Sequence, residues 1–324
     1  MYALVAYFLG YDGKLVTYDV GVSYLDYGVP YLALRCLPAL LSSITVSIIY
    51  LIMWESGFGV PACVVAAGLV LLDTAQIAQT RLIYLDAILC FSIVCSLLFY
   101  IKFSKTTERP FSKQWWVWLL STGIALSCVI STKYVGLFTY LTIGTYVIVE
   151  LRELWRAGGV HELSKHVAAR GLALIFIPLV LYMSWFYIHF AILTRPGEGD
   201  IFMSDEFLYD LYSKANNKTM HFPRKWLELQ LTMLFEANAL PIGDHPYESR
   251  PYQWPFSAGG VAFWCSDPVK QQIYFVGNLP GWWMATGSLA IFAGVMITDY
   301  CYRARGRKFL PPSKFITYDE PFPR

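Results

Sequence analysis

Three ionisable side chains lie between two apolar runs in the stretch LVLLDTAQIAQTRLIYLD, which ends at Asp86. They are Asp73, Arg81 and Asp86. If both apolar runs lie in a bilayer, these side chains fall at or just inside one membrane face, and a charge costs about 2.5–3.5 kcal/mol at mid-bilayer depth and less towards the interface. Two interpretations stay open: an ion pair between Asp73 and Arg81, and a site for an anionic ligand.

The composition is that of a membrane protein. Of the 324 residues, 56% are hydrophobic and only 15% are charged, whereas an ordinary globular domain has about 25% charged residues. The net charge of +2 carries little information, and no nucleic-acid partner is expected. The seven cysteines lie mostly within apolar runs and show no paired metal spacing, so we expect small buried hydrophobic side chains and no metal site.

Seven apolar segments approach the length of about 20 residues that is needed to cross a bilayer. They cover residues 30–53, 61–79, 82–103, 115–132, 134–154, 169–193 and 282–302. The N-terminal residues 1–28 begin with an apolar run that is too short to span, and an interfacial helix fits them better. The expected fold class is therefore an all-α polytopic membrane protein.

Basic residues set the predicted orientation of these spans. Lys and Arg cluster after the third span, after the fifth and after the last, at residues 102–113, 152–170 and 303–308. All three clusters fall on one side of the membrane, which the positive-inside rule assigns to the cytosol. The functional candidates then lie on the opposite face, in residues 1–28, 73–81, 131–134 and 194–280.

The segment 194–280 is too polar and too rich in Pro and Gly to span a membrane. Within it, residues 225–237 place four apolar side chains on one helical stripe, as in a helix that lies on the membrane surface: Trp226, Leu229, Met233 and Leu234. Asn217 opens an Asn-Lys-Thr glycosylation sequon. The sequon agrees with a non-cytosolic location for this segment.

Two further cations on this face need a partner or a role. Arg35 lies about one turn inside the first span, close to a helix N-terminus whose partial positive charge disfavours a cation. Its counter-ion is either structural, from Asp73 or Asp86, or a ligand phosphate held by the guanidinium fork. Lys133, between two spans, is interpreted first as a lysine that snorkels to the interface and second as a ligand contact.

The loop from His245 to Trp254 gathers an imidazole, a carboxylate, a guanidinium and three aromatic rings within ten residues. Prolines limit its backbone freedom, so the loop can hold polar groups rigidly. One interpretation is an aromatic belt that anchors the loop among lipid headgroups. The other is a binding loop in which His245, Arg250 and Trp254 contact a substrate.

Several ordered sequence blocks together resemble one protein family. The blocks are VAYFLGYDG, VPYLALRCLPALL, RLIYLDAILCF, STKYVGLFTYL, GEGDIFMS and HPYESRPYQWP. They are similar to the protein O-mannosyltransferases over nearly the whole chain, up to about Arg303. Enzymes of that family lie in the endoplasmic reticulum membrane, have the multispan GT-C glycosyltransferase fold and use dolichyl-phosphate mannose as donor. The resemblance implies a GT-C-type core of about seven transmembrane helices with a luminal loop region.

The resemblance implies inverting transfer of mannose from dolichyl-phosphate mannose to Ser or Thr hydroxyls of secretory proteins. Arg35 and Arg81 would stabilise the phosphate leaving group, and a carboxylate would act as general base. Asp73 and Asp86 are the carboxylates near that site. No cofactor is implied beyond the donor substrate, and a dimer with a related mannosyltransferase subunit is expected.

The resemblance also favours substrate binding by His245, Arg250 and Trp254, with Lys133 as a second-rank candidate, because the loop that contains the first three corresponds to a luminal motif near the active cavity. Four features of the family have no counterpart in the sequence: the first span, the luminal loop after it with an Asp-Glu pair, the β-trefoil MIR domain, and the further spans with which the family continues at its C-terminal end. We therefore expect a fragment or a short form. Its expected parts are a transmembrane core (1–193), a luminal loop region (194–281), and a last span with a basic cytosolic tail (282–324).

The acidic pair is the usual source of the general base, so a second function stays open. It is a non-catalytic, dolichyl-lipid-binding or regulatory subunit of a mannosyltransferase complex. A transporter is disfavoured, because the ionisable groups gather at one membrane face and no inverted repeat is apparent.

Overall fold

The computed structural model of the chain describes residues 1–11, 28–192, 202–212, 220–236, 250–266, 271–307 and 309. These residues form two compact units. The first unit comprises Met1–Met53, Phe58–Ala87 and Pro246–Arg324, and the second comprises Trp54–Gly57 and Ile88–His245.

The described residues are mostly helical. Their α-helices, in chain order, are α1 (Tyr2–Phe8), α2 (Tyr31–Glu55), α3 (Val60–Leu71), α4 (Thr74–Thr80), α5 (Asp86–Ser104), α6 (Lys113–Thr132), α7 (Leu137–Gly171), α8 (Ile177–Ile192), α9 (Asp205–Tyr212), α10 (Phe222–Leu231) and α11 (Leu279–Ala304). Turns of 3-10 helix lie at Tyr134–Gly136 and Pro251–Phe256, and π-helical turns at Leu172–Phe176 and Thr232–Glu236. Strands β1 (Val261–Ser266) and β2 (Gln271–Phe275) pair antiparallel.

Among the described residues, six helical segments are long and apolar enough to cross a membrane. They are Tyr31–Glu55, Asp86–Ser104, Lys113–Thr132, Tyr134–Ala157, Gly159–Ile192 and Leu279–Ala304. A seventh crossing is the pair α3 and α4, which is bent by 52°. The predicted polytopic helical architecture is confirmed, but the predicted span 61–79 is broken at Asp73, which caps a separate helix.

Helix α7 reverses at Gly159, whose φ of 76° and ψ of 171° lie outside the helical region. Glycine adopts a positive φ without a steric penalty. The sequence analysis groups Arg170 with the basic residues of a cytosolic loop, but Arg170 is helical and only 3% exposed. Its Nη2 donates to Glu150 across the reversal at 3.1 Å, and Glu150 also accepts from the Ser104 hydroxyl at 2.9 Å.

The core of the second unit forms around α6, where Trp115 and Leu119 are fully buried. Helix α6 packs against the π-helical turn at Leu172–Phe176, which precedes Pro178. In a regular helix the proline ring clashes with the carbonyl four residues earlier. The wider turn accommodates the proline through a bond from the Ile177 N–H to the Leu172 carbonyl.

Candidate functional site

The break between α3 and α4 is the centre of the candidate site in the first unit. Asp73 caps α4, since its Oδ1 accepts a hydrogen bond from the Ala75 N–H at 3.0 Å. Its Oδ2 accepts from the indole N–H of Trp282, in the first turn of α11, at 3.2 Å. One carboxylate therefore stabilises the bend and joins it to the last span.

Of the two interpretations left open for this stretch, the ion pair between Asp73 and Arg81 is not formed. Both oxygens of Asp73 accept hydrogen bonds from other groups. Arg81 follows the last residue of α4, where the helix dipole favours a cation. Its side chain is exposed and makes no hydrogen bond or ion pair with any residue that the structure describes. The guanidinium is therefore available to an anion from outside the chain.

Helix α1 fixes the turn that follows Arg81. The Tyr2 hydroxyl donates to the Tyr84 carbonyl at 2.7 Å. Burial, and secondarily the nearby Asp86 carboxylate, raises the pKa of Tyr2 above its ordinary value, so the hydroxyl stays protonated and able to donate. Asp86 is the first residue of α5, where the helix dipole stabilises a carboxylate. The N-terminal helix and the turn between α4 and α5 thus form one local assembly.

Arg35 lies in the second turn of α2 and is half-buried. Its Cζ lies 5.6 Å from the centroid of the Tyr31 ring, so a cation–π contact orients the guanidinium. Further along α2, the Ser42 hydroxyl accepts from Nε2 of Gln76 in α4 at 3.0 Å. Helix α2 is therefore joined to the helix that Asp73 caps.

Arg250 immediately precedes the 3-10 helix Pro251–Phe256 and caps its first turn. The backbone N–H of Arg250 donates to Oε1 of Gln253 at 2.7 Å, which closes the first turn. Trp254 is 64% exposed, and the neighbouring rings of Tyr252 and Phe256 are exposed as well. The aromatic face of this short helix is thus open to a membrane surface or a ligand.

Two consecutive tryptophans at the start of α11 connect the 3-10 helix with the bend. Trp282 donates to Asp73, and the indole N–H of Trp283 donates to the Phe256 carbonyl at 2.8 Å. Gly277 makes room for this arrangement, because a Cβ there would lie 2.1 Å from the Trp282 ring. The tryptophans are a part of the site that the sequence analysis missed, although the motif GNLPGWW, with two aromatic residues just after a helix start, was a usable signal.

The other candidates lie elsewhere. Lys133 belongs to the second unit, where it is exposed at the C-terminal end of α6. His245 lies outside the described residues. Within the described residues, no group of three or more His, Cys, Asp or Glu side chains is placed to hold a metal ion. The first unit therefore holds the predicted site residues Arg35, Arg81, Asp73 and Asp86, whose side chains are of the types that bind phosphate and transfer protons.

Two family models match the chain. Residues 1–194 match the model described as "Dolichyl-phosphate-mannose-protein mannosyltransferase". Residues 222–320 match the model of the C-terminal four TMM region of protein-O-mannosyltransferase.

The chain is also similar to individual proteins whose names match the description of the first family model. It is 50% identical to dolichyl-phosphate-mannose--protein mannosyltransferase 4 of Candida albicans over 208 residues, which cover 63% of this chain and 28% of the relative. It is 50% identical to the protein of the same name from Schizosaccharomyces pombe over 226 residues, which cover 68% and 29%. The chain thus spans less than a third of the length of these relatives.

One solved structure has the same fold. It is the Saccharomyces cerevisiae protein O-mannosyltransferase Pmt1-Pmt2 complex bound to the sugar donor, with a TM-score of 0.84 at 18% identity, covering 97% of this chain and 70% of that chain. The similarity confirms the predicted GT-C-type multispan fold. Since the first family model alone matches more than half of the 324 residues, the chain belongs to the dolichyl-phosphate-mannose-protein mannosyltransferase family.

Proposed function

We propose that the chain transfers mannose from dolichyl-phosphate mannose to Ser or Thr hydroxyls of secretory proteins at the endoplasmic reticulum membrane. Family membership supports the reaction class. The observation that carries the proposal is the exposed Arg81 guanidinium, which has no ionic partner among the described residues. A guanidinium without an ionic partner in the chain can bind a phosphate through two charge-assisted hydrogen bonds. The turn around Arg81 is held by Tyr2 on one side and Asp73 on the other.

In this mechanism the arginines act on the leaving group. Negative charge builds on the phosphate as the bond from the mannose anomeric carbon to the phosphate oxygen breaks. Hydrogen bonds from Arg81 and Arg35 stabilise that charge because they are charge-assisted, and the contact with Tyr31 orients Arg35. The acceptor hydroxyl gives its proton to a carboxylate. Asp73 is poorly suited to that role, since both of its oxygens already accept hydrogen bonds, and Asp86 is the alternative.

The test uses microsomes that contain the full chain, radiolabelled dolichyl-phosphate mannose and a peptide rich in Ser and Thr. Arg81→Ala should lower transfer by roughly 30- to 1000-fold, the usual cost of losing a contact to a developing charge. Arg81→Lys should recover part of the rate, because an ammonium keeps the charge but not the planar fork. The matched control is Arg224→Ala, which removes an exposed pair with Glu206 and should leave transfer unchanged.

The same assay tests whether Arg35 contacts the donor phosphate or has only a structural role. Arg35→Ala should lower transfer severely, while membrane insertion stays intact, since removing an arginine from a span does not hinder insertion. Near-normal transfer by both alanine variants at limiting donor concentration would remove the phosphate assignment. Arg35 would then be a structural residue that stacks on Tyr31.

A second candidate function is a non-catalytic subunit that binds the dolichyl lipid. It is favoured by the two hydrogen bonds that Asp73 accepts, because they make Asp73 a poor general base. The solved relative is a complex of two mannosyltransferases, and a dimer of this chain with a related subunit is part of the proposal. Capture of a photoreactive dolichyl-phosphate analogue without transfer, in the presence and absence of a related subunit, would favour this alternative. Transfer that depends on Arg81 in this chain would favour the enzyme.

A further inference from the structure

A crevice of about 300 Å³ opens in the second unit, and the buried Arg170 is one of its lining residues. Its walls are the two halves of α7, which run antiparallel on either side of Gly159, and the π-helical turn after them. Tyr140, Ile143 and Leu151 line one wall. Val167, Leu174 and Ile175 line the other.

The crevice exists because both walls lack a side chain at one point. Gly144 lies on the first wall and Gly171 on the second. A Cβ added at either position would meet no atom within 4 Å. The space is therefore open on both sides, unlike the contact at Gly123, where an added Cβ would lie 2.0 Å from the Ala173 carbonyl oxygen.

The crevice lies near the reversal of α7 and opens on apolar surface. Leu151 and Val167 flank Gly159 at equal distances along the chain, which places the rim about 12 Å from the reversal at 1.5 Å per residue. Ile148 is 67% exposed and Phe176 is 58% exposed, as expected for side chains that face lipid. The crevice is thus in the leaflet that the positive-inside rule assigns to the cytosol.

Two cations lie on the reversal side of the crevice. Arg152 and Arg156 are exposed and make no ion pair with any described residue. Of the nearby carboxylates, Glu150 accepts from Arg170 and Glu162 from Lys165 at 2.8 Å, and the exposed Glu153 pairs with neither arginine. The cytosolic leaflet is rich in anionic lipids, and clustered basic residues attract their headgroups.

We propose that this crevice binds an anionic phospholipid of the cytosolic leaflet. One acyl chain lies between Gly144 and Gly171, and the phosphate lies against Arg152 and Arg156. The volume is at the lower limit for a ligand pocket. One turn of an α-helix, about 10 Å across, occupies more than this volume. The crevice can therefore hold a hydrocarbon chain but not a helix of a partner protein. The crevice opens on lipid-facing surface, so the acyl chain of the lipid can enter it laterally from the bilayer.

The test reconstitutes the full chain into phosphatidylcholine liposomes doped with phosphatidylserine that carries a photoactivatable acyl chain. Mass spectrometry of the crosslinked peptides should place the label in residues 140–151 and 167–175. Gly144→Leu and Gly171→Leu, which fill the crevice from opposite walls, should each lower labelling about tenfold, since they exclude roughly two methylenes of the lipid chain. Gly287→Leu in α11 is the matched control, because that glycine also has no neighbour within 4 Å.

The headgroup half of the proposal has its own measurement. Replacing Arg152 and Arg156 by Gln should lower labelling by phosphatidylserine to the level obtained with photoactivatable phosphatidylcholine. If neither Gly144→Leu nor Gly171→Leu inserts into the membrane, this comparison of the two lipids tests the proposal by itself. Three outcomes would overturn the proposal: label outside the crevice, equal labelling of the wild-type chain by the two lipids, or displacement of the label by dolichyl phosphate. The last outcome would assign the crevice to the polyprenyl lipid.

Discussion

At the scale of single residues, substitutions of Asp73 test whether its carboxylate is structural or catalytic. Asp73→Ala removes both the cap of α4 and the acceptor for Trp282, and should lower the free energy of unfolding in detergent by about 1–3 kcal/mol. Asp73→Asn should cost about 1 kcal/mol, because the amide oxygen can still cap α4 whereas the amide nitrogen cannot accept the hydrogen bond from Trp282, and transfer should fall by less than about tenfold. A stable Asp73→Asn variant with no activity would instead make Asp73 the general base.

A second prediction compares Lys225 with its neighbour Arg224, both in α10. Lys225 pairs with Asp210, and the side chains of both are buried. Lys225→Met leaves a buried carboxylate without its ammonium partner and should cost about 3–5 kcal/mol, measured by denaturant titration in detergent. Arg224→Met breaks the exposed pair with Glu206 and should cost at most about 1 kcal/mol. Equal losses from the two variants would contradict the role assigned to burial.

Sequence could find the candidate ionisable residues, because a charge within an apolar run is conspicuous. It could not find their partners. The bond from Trp282 to Asp73 joins residues 209 positions apart, and whether such residues meet depends on how the spans are arranged. The burial of Lys225 was likewise hidden, since a lysine at the edge of the predicted apolar stripe gives no indication that it is buried against Asp210.

At the scale of elements, the contact between α6 and the π-helical turn can be tested at Gly123. Gly123→Ala would place a Cβ 2.0 Å from the Ala173 carbonyl oxygen. The helices must then separate, and the loss of packing should cost about 1–3 kcal/mol. Gly144→Ala is the control, because its Cβ meets nothing within 4 Å and alanine is the better helix former by up to about 1 kcal/mol. A neutral Gly123→Ala variant would mean that the close approach is not required.

The elements themselves were largely predictable, because an apolar run of about 20 residues has one stable solution in lipid. The breaks were not. The end of the second predicted span depends on the Asp73 cap, and the reversal of α7 depends on one glycine in a sequence that is otherwise suited to helix. Residues 155–168 carry several charges, which favoured a loop, yet the structure keeps them helical on both sides of Gly159.

At the scale of the whole molecule, the proposed function depends on which side of the membrane the candidate site faces. Arg81 lies just before α5 and Thr107 just after it. Since α5 is a candidate span, a cytosolic Thr107 places Arg81 on the luminal side. The network of Glu55 with Lys102 and Lys105, at 2.7 and 2.6 Å, lies at the Thr107 end and agrees with a cytosolic location for its surplus cation.

Single cysteines at the two ends of α6 test this orientation in sealed microsomes. Thr107 and Ser131 are both exposed and can carry the probes in a background that lacks all seven native cysteines. A membrane-impermeant maleimide should label Thr107→Cys in intact microsomes and Ser131→Cys only after permeabilisation, because α6 separates the two positions by one bilayer crossing. The reverse pattern would put Arg81 in the cytosol, where secretory proteins are not available as acceptors, and would exclude the proposed transfer.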